Sequence, residues 1–343
     1  AKAELESMVS REAAFLYNNL LLVGIAFTVF WGTIFPILSE WAKGTKITVG
    51  PPFFNAVNVP LGLLLLALTG VGPLIAWRKA SVGNLKRQFL WPTTFGLAIA
   101  IALLITGMRR LAPLMTYGLC GFVAGTIVQE FYKGIRARQA IHNESVVAGF
   151  LHLVGRNRRR YGGYIVHAGI VMLFAAFAGM AFATQHDVTL STGQSFEARD
   201  PYGHAWRFVS QGVSTSVPRD REVQGVGLEM FRDGKRLGII TSEKRQYLDM
   251  QGNPLFSPIT KVGIRTTPQL DTYVVLTGLR SADTAELRIS FNPLVVWVWL
   301  GGFLMMIGGL IVMWPQAEKR RAQAGYAAVM PTHAESSELA GAV

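Results

Sequence analysis

The sequence predicts an α-helical polytopic membrane protein of about six transmembrane helices, with a β-rich extracytoplasmic domain inserted before the last helix. Three observations carry this. Half of the 343 residues are hydrophobic, 16% are charged, and the mean hydropathy is +0.32, a balance outside that of ordinary soluble chains. Six apolar runs approach the ~20 residues that cross a ~30 Å hydrocarbon core. Between the fifth and sixth runs, residues 184–291 switch to short alternating segments, the two-residue period of strands.

The runs lie at 15–38, 59–77, 91–108, 111–128, 164–183 and 294–314. Trp91, Trp297, Trp299 and Trp314 stand near their ends, where indole rings favour the water–lipid boundary. In the first run, Asn18-Asn19 are placed to bridge helices, and Pro36, near Thr33, predicts a kink. Gly50-Pro51-Pro52-Phe53-Phe54-Asn55 reads as a turn carrying two interfacial aromatics. The link Arg109-Arg110-Leu111-Ala112-Pro113 is short enough to make the third and fourth runs antiparallel neighbours. Ala175 and Gly179 suit close helix packing.

Orientation follows from basic residues, which are retained on the cytoplasmic side. One side carries Lys2, Arg11, Arg78, Lys79, Lys86, Arg87, Lys133, Arg136, Arg138, Arg156, Arg158, Arg159, Arg160, Lys319, Arg320 and Arg321. The other has only Lys43, Lys46, Arg109 and Arg110 in its short connections. Both termini are therefore expected in the cytoplasm and the 184–291 segment outside. That segment's 13 basic and 12 acidic residues nearly cancel, so the formal charge of +12 sits on cytoplasmic loops. Contact with anionic lipid explains it better than nucleic-acid binding.

The expected division is a four-helix membrane segment at 1–129, a basic cytoplasmic loop at 130–160 and a helix carrying His167 at 161–184. The β-rich domain follows at 185–291, the last helix at 292–314 and a disordered cytoplasmic tail at 315–343. Strands are predicted at 206–213, 226–231, 236–240, 259–265, 272–277 and 286–291, in a sandwich or small barrel. Asp233-Gly234, between two of them, is the pair that best tolerates a tight hairpin. The single cysteine, Cys120, permits no disulfide or redox Cys pair within the chain and no zinc cluster.

Within the runs, interior Asp, Glu, Lys and Arg are absent, and His167 is the one histidine, away from the ends. A polar group in hydrocarbon is costly without a partner. The residue alone is compatible with axial ligation of a haem, a hydrogen bond to a neighbouring helix, or proton transfer. Gly163, one turn earlier, leaves room on the same face for a macrocycle. His186 and His204 lack Cys or close acidic partners in any metal-ligand spacing. His142 and His152 read as loop or interfacial-helix residues. Phosphate-binding loops, nucleophile elbows and zinc-protease His pairs are absent from the sequence, so hydrolysis by this chain alone is not expected.

Several stretches together resemble one family, the CcmF/NrfE haem lyases of cytochrome c maturation. They are Ser10-Arg11-Glu12-Ala13 with Asn18-Asn19-Leu20-Leu21, Gly32-Thr33-Ile34-Phe35-Pro36, and Val49 to Asn55. Further along come Tyr161-Gly162-Gly163-Tyr164-Ile165-Val166-His167-Ala168-Gly169, Glu243 to Tyr247, Asp271-Thr272-Tyr273-Val274, and Asn292-Pro293-Leu294-Val295.

The resemblance implies a bacterial inner-membrane machine that takes haem from the chaperone CcmE. It would join that transient substrate haem to the Cys-x-x-Cys-His thiols of apocytochrome c, alongside thiol-handling maturation proteins. It implies that His167 is one of two axial ligands of a permanent haem b. The family's Trp-rich outward segment, the two histidines that bracket it and the other haem b ligand have no counterpart here. The resemblance is therefore to the C-terminal half only. The opening Ala1-Lys2-Ala3-Glu4 likewise looks like part of a longer or processed polypeptide. The N-terminal half of the lyase is then a required partner, and the chain alone is expected to be inactive. A haem-export or transporter subunit, and a scaffold for the maturation complex, are the alternative readings.

Overall fold

The computed structural model describes residues 11–74, 82–218 and 220–315. Lys2, Arg78, Lys79 and the tail from residue 316 lie outside the described residues. Those residues form helices α1 (Arg11–Lys43), α2 (Pro51–Val71, extended by a 3-10 turn Gly72–Leu74), α3 (Val82–Ile105), α4 (Leu111–His142), α5 (Val146–Arg156) and α6 (Arg158–Met180). After the β domain comes α7 (Val295–Met313). Six of these helices, all but the short α5, are long and apolar enough to cross a membrane.

The turn expected at residues 50–55 is instead the start of α2. Gly50 is extended, and Pro51 and Pro52 occupy the first helical positions, where their fixed φ suits a helix and the missing N–H costs nothing. Phe53 and Phe54 then pack on α1 at Gly32, where an added Cβ would stand 2.6 Å from the Phe54 ring. The antiparallel α3–α4 hairpin is as tight. A Cβ on Gly96 would meet the Gly118 carbonyl at 2.6 Å.

The 130–160 stretch, expected as a loop, is almost wholly helical. α4 runs on to His142 and ends on Asn143 in the left-handed region, φ 50°. Ser145 then caps α5 by accepting from the Ala148 amide. Basic composition and helical periodicity coexist here because α5 buries only Gly149 and Leu153 and leaves its other faces polar or exposed.

Ala175 and Gly179 do not make the closest helix contact. Gly179 meets Leu294, and Ala175 joins the core between α4 and α6. The crossing of α6 with α7 is built on Gly162 and Gly169 against Gly308 and Gly301, small residues that let backbones touch.

Among the described residues the β domain has nine antiparallel strands in two sheets: β1 (Thr184–Ser191), β2 (Ser195–Arg199), β3 (Ala205–Ser216), β4 (Arg221–Arg232), β5 (Lys235–Tyr247), β6 (Ile259–Lys261), β7 (Gly263–Thr266), β8 (Leu270–Ser281) and β9 (Thr284–Pro293). The orders are β1-β9-β8-β7 and β2-β3-β4-β5-β6. Five of the six predicted strands are present; the sixth, 259–265, is broken into β6 and β7, which belong to different sheets, and β1 and β2 are additional. Asp233 (φ 48°) and Gly234 (φ 80°) turn β4 into β5, with Arg232 opposite Lys235, the geometry of a two-residue primed turn. Inward side chains of both sheets, among them Trp206, Phe208, Leu228, Leu276, Ile289 and Phe291, form one apolar core.

The domain is tied to the helices at short joints. Three residues separate α6 from β1, and only Leu294, at φ 60°, separates β9 from α7. Arg110 donates to the Ala181 carbonyl at the end of α6 and lies over Phe182. Trp297 Nε1 donates to Pro268 O at 2.7 Å.

Candidate functional site

α6 begins at Arg158, six residues before the run read from hydropathy, because its three arginines are helical. His167 therefore lies nine residues inside the helix, about 13.5 Å along it. Its direction is set by the glycines. With Gly162 and Gly169 against α7, His167 points about 140–160° away from that contact at ~100° per residue.

On the α4 side, Tyr161, Tyr164, Ala168 and Val171 pack with Leu66, Cys120, Val123 and Ile127. Between these two packed faces runs a strip of Gly163, His167, Ile170 and Phe174. A Cβ at Gly163 would meet nothing within 4 Å, and Phe174 reaches Gly62 of α2.

His167 is partly buried, and its Nδ1 is buried with no hydrogen-bond partner. A buried imidazole nitrogen left unpaired is unfavourable. Among the described residues there is no group of three His, Cys, Asp or Glu that could hold a metal ion. A bare ion needs three or four protein donors. A haem brings its own four nitrogens and asks the protein only for axial ligands. One imidazole beside an open glycine position fits the second case.

A polar cluster one to two turns from His167 was not foreseen. Glu130 of α4 is buried at 6% exposure. It pairs with Arg160, accepts from the Tyr164 hydroxyl at 3.2 Å and lies 3.6 Å from Lys133. Ending the fourth run at residue 128 put Glu130 outside the membrane segment. The available signal was an acid within a basic stretch, three residues before Lys133. Further along, Arg138 makes a bidentate pair with Glu144 at 2.8 and 2.6 Å, and His152 Nδ1 lies 3.0 Å from the same carboxylate. The Arg138 hydrogen bonds hold the Glu144 carboxyl down to about 2.

In the β domain, His204 does have an acidic partner, contrary to expectation: Asp233 Oδ2 lies 2.8 Å from its Nδ1. The two are 29 residues apart and meet only when β3 pairs with β4. The Ala205 amide, and then His204, hold the Asp233 carboxyl below the usual range. His186 packs beside Phe196 and Phe291, and its Nε2 has no hydrogen-bond partner.

No family model matches the chain. Curated proteins do match over most of its length. The cytochrome c-type biogenesis protein CcmF of Pseudomonas fluorescens is 29% identical over 308 residues, 88% of this chain and 43% of that protein. CcmF of Escherichia coli K12 is 23% identical over 316 residues, 91% of this chain and 45% of that protein. A solved structure, the cytochrome c haem lyase CcmF, superposes with a TM-score of 0.68 at 28% identity, over 90% of this chain and 46% of that one. The chain is a homologue of the CcmF/NrfE proteins. The match to CcmF falls on the C-terminal half, and the chain spans under half the length of these CcmF relatives. NrfE of Haemophilus influenzae, 24% identical over 317 residues, extends the likeness to that branch.

Proposed function

We propose that the chain is the C-terminal part of a cytochrome c haem lyase and supplies one axial ligand, His167, to a haem b inside the membrane. The second ligand comes from outside this chain. The observation that carries the reading is the orphaned Nδ1 of His167 on a strip left open by Gly163. The homology to CcmF supports it.

The lyase joins haem delivered by the chaperone CcmE to the Cys-x-x-Cys-His thiols of apocytochrome c, with the N-terminal half of the lyase and thiol-handling proteins as partners. When bound, haem b supplies electron transfer that keeps the substrate haem iron reduced. The chain's own part is positional. The α6–α7 glycine contact fixes the rotation of α6 and hence the direction of the imidazole. Neutral imidazole is the form that ligates iron. The excess of Lys and Arg at the end of the bundle opposite the β domain supports cytoplasmic termini and a periplasmic β domain in the bacterial inner membrane.

The test is H167A in the complete assembly. The bis-imidazole haem b absorption should disappear while the partner polypeptides still co-purify. An unchanged spectrum would exclude the ligand role.

A further inference from the structure

Arg160 and His167 are seven residues apart on α6, which offsets their directions by only ~20° and separates them by about 10.5 Å along the axis. Gly163 lies between them on the same side, and nothing stands within 4 Å of its Cβ position. Helical Cα–Cβ bonds tilt toward the N-terminus, so the imidazole leans toward Arg160.

The guanidinium is held in place. Its Nε donates to the Tyr164 hydroxyl at 3.2 Å, Nη2 pairs with Glu130, and the group lies over the rings of Tyr161 and Tyr164 at 5.7 and 5.9 Å. Nη1 makes no hydrogen bond among the described residues, and the side chain is 57% exposed beside a Glu130 side chain that is only 7% exposed. Glu130 is also faced by Lys133 at 3.6 Å. One carboxylate thus stands against two cations, and the cluster keeps a positive charge in excess.

We infer that Arg160 anchors a propionate of the haem ligated by His167, with Glu130 and Tyr164 as positioning residues that hold the guanidinium in place and leave Nη1 free. This rests on the haem reading of His167. A propionate is the carboxylate the cluster lacks, a guanidinium fork matches it, and the separation lies within the combined reach of a propionate arm and an arginine side chain.

The test uses the complete assembly, stripped of haem and titrated with haem or with haem dimethyl ester, whose propionates carry no charge. The unaltered protein should prefer haem by at least about 10-fold, the scale of one charge-assisted contact. R160Q should bind both forms alike and, at saturation, still give the bis-imidazole absorption. E130Q should weaken the preference in part, because Arg160 is no longer held. An R160Q protein with the original preference overturns the proposal. Should R160Q fail to assemble, R160K reads the same ratio: the ammonium keeps the charge without the fork, so the preference should fall without vanishing, and an unchanged ratio again overturns the proposal. H167A separates the two levels. Loss of the absorption in H167A with an unaltered preference in R160Q removes only the Arg160 assignment, whereas retention in H167A removes both.

Discussion

Gly169 and Gly301 occupy each other's side-chain space: a Cβ on Gly169 would stand 2.6 Å from the Gly301 carbonyl oxygen, and one on Gly301 2.7 Å from that of Gly169. The obstructing atoms are backbone, so neither helix can accommodate a side chain without separating. G169A or G301A should destabilise the folded chain by about 1–3 kcal/mol, the usual scale of overpacking. G302A and G309A, whose Cβ positions are open, should be neutral. Thermal inactivation in detergent reads the difference, and equal behaviour of the two pairs would refute the contact.

The β4–β5 turn can be tested at adjacent residues with different roles. Gly234 supplies a left-handed backbone at φ 80°, so G234V should cost about 1–2 kcal/mol. Asp233 supplies in addition the acceptor for the Ala205 amide and the partner of His204. D233G keeps the turn but loses both bonds. Hydrogen exchange should therefore show G234V loosening β4 and β5, and D233G loosening the start of β3.

Asp271, at 4% exposure with Oδ1 unpartnered, has its carboxyl pushed above the ordinary 3.8 by burial, partly offset by the Thr266 hydroxyl and the Thr267 amide. A raised carboxyl means the folded state holds its proton more tightly than the unfolded chain. Its contribution is fully present below the unfolded value and is lost as pH rises through the folded one. D271N should therefore stabilise the β domain at neutral pH and flatten the stability profile above pH 4. A steeper profile in D271N would contradict this.

Glu144 has the opposite sign. Lowered from 4.5 to about 2 by Arg138, it contributes stability that is present above the unfolded value and lost as pH falls between the two. R138Q should move opening of the α4–α5 junction to higher pH, read by amide exchange in α5 between pH 2 and 5.

The membrane spans and most strands were legible because hydropathy runs and two-residue alternation are local. The Asp233-Gly234 hairpin was legible because its turn chemistry is local too. Glu130 and the Asp233 partner of His204 were not, since each contact joins elements remote in sequence. The helical character of residues 130–160 was masked by charge, which hydropathy reads as loop. The α6–α7 glycines had a readable seven-residue spacing, Gly162 with Gly169 and Gly301 with Gly308. The four-residue pair at Ala175 and Gly179 packs elsewhere, on α4 and Leu294. His167 was conspicuous from the start, but its direction became definite only once those glycines fixed the rotation of α6.

The joints at Thr184 and Leu294 give the β domain no slack: one end continues α6 and the other feeds α7, and those two helices are interlocked. Any displacement of the sheets would therefore pass through a joint of only three residues into the helix that carries the histidine.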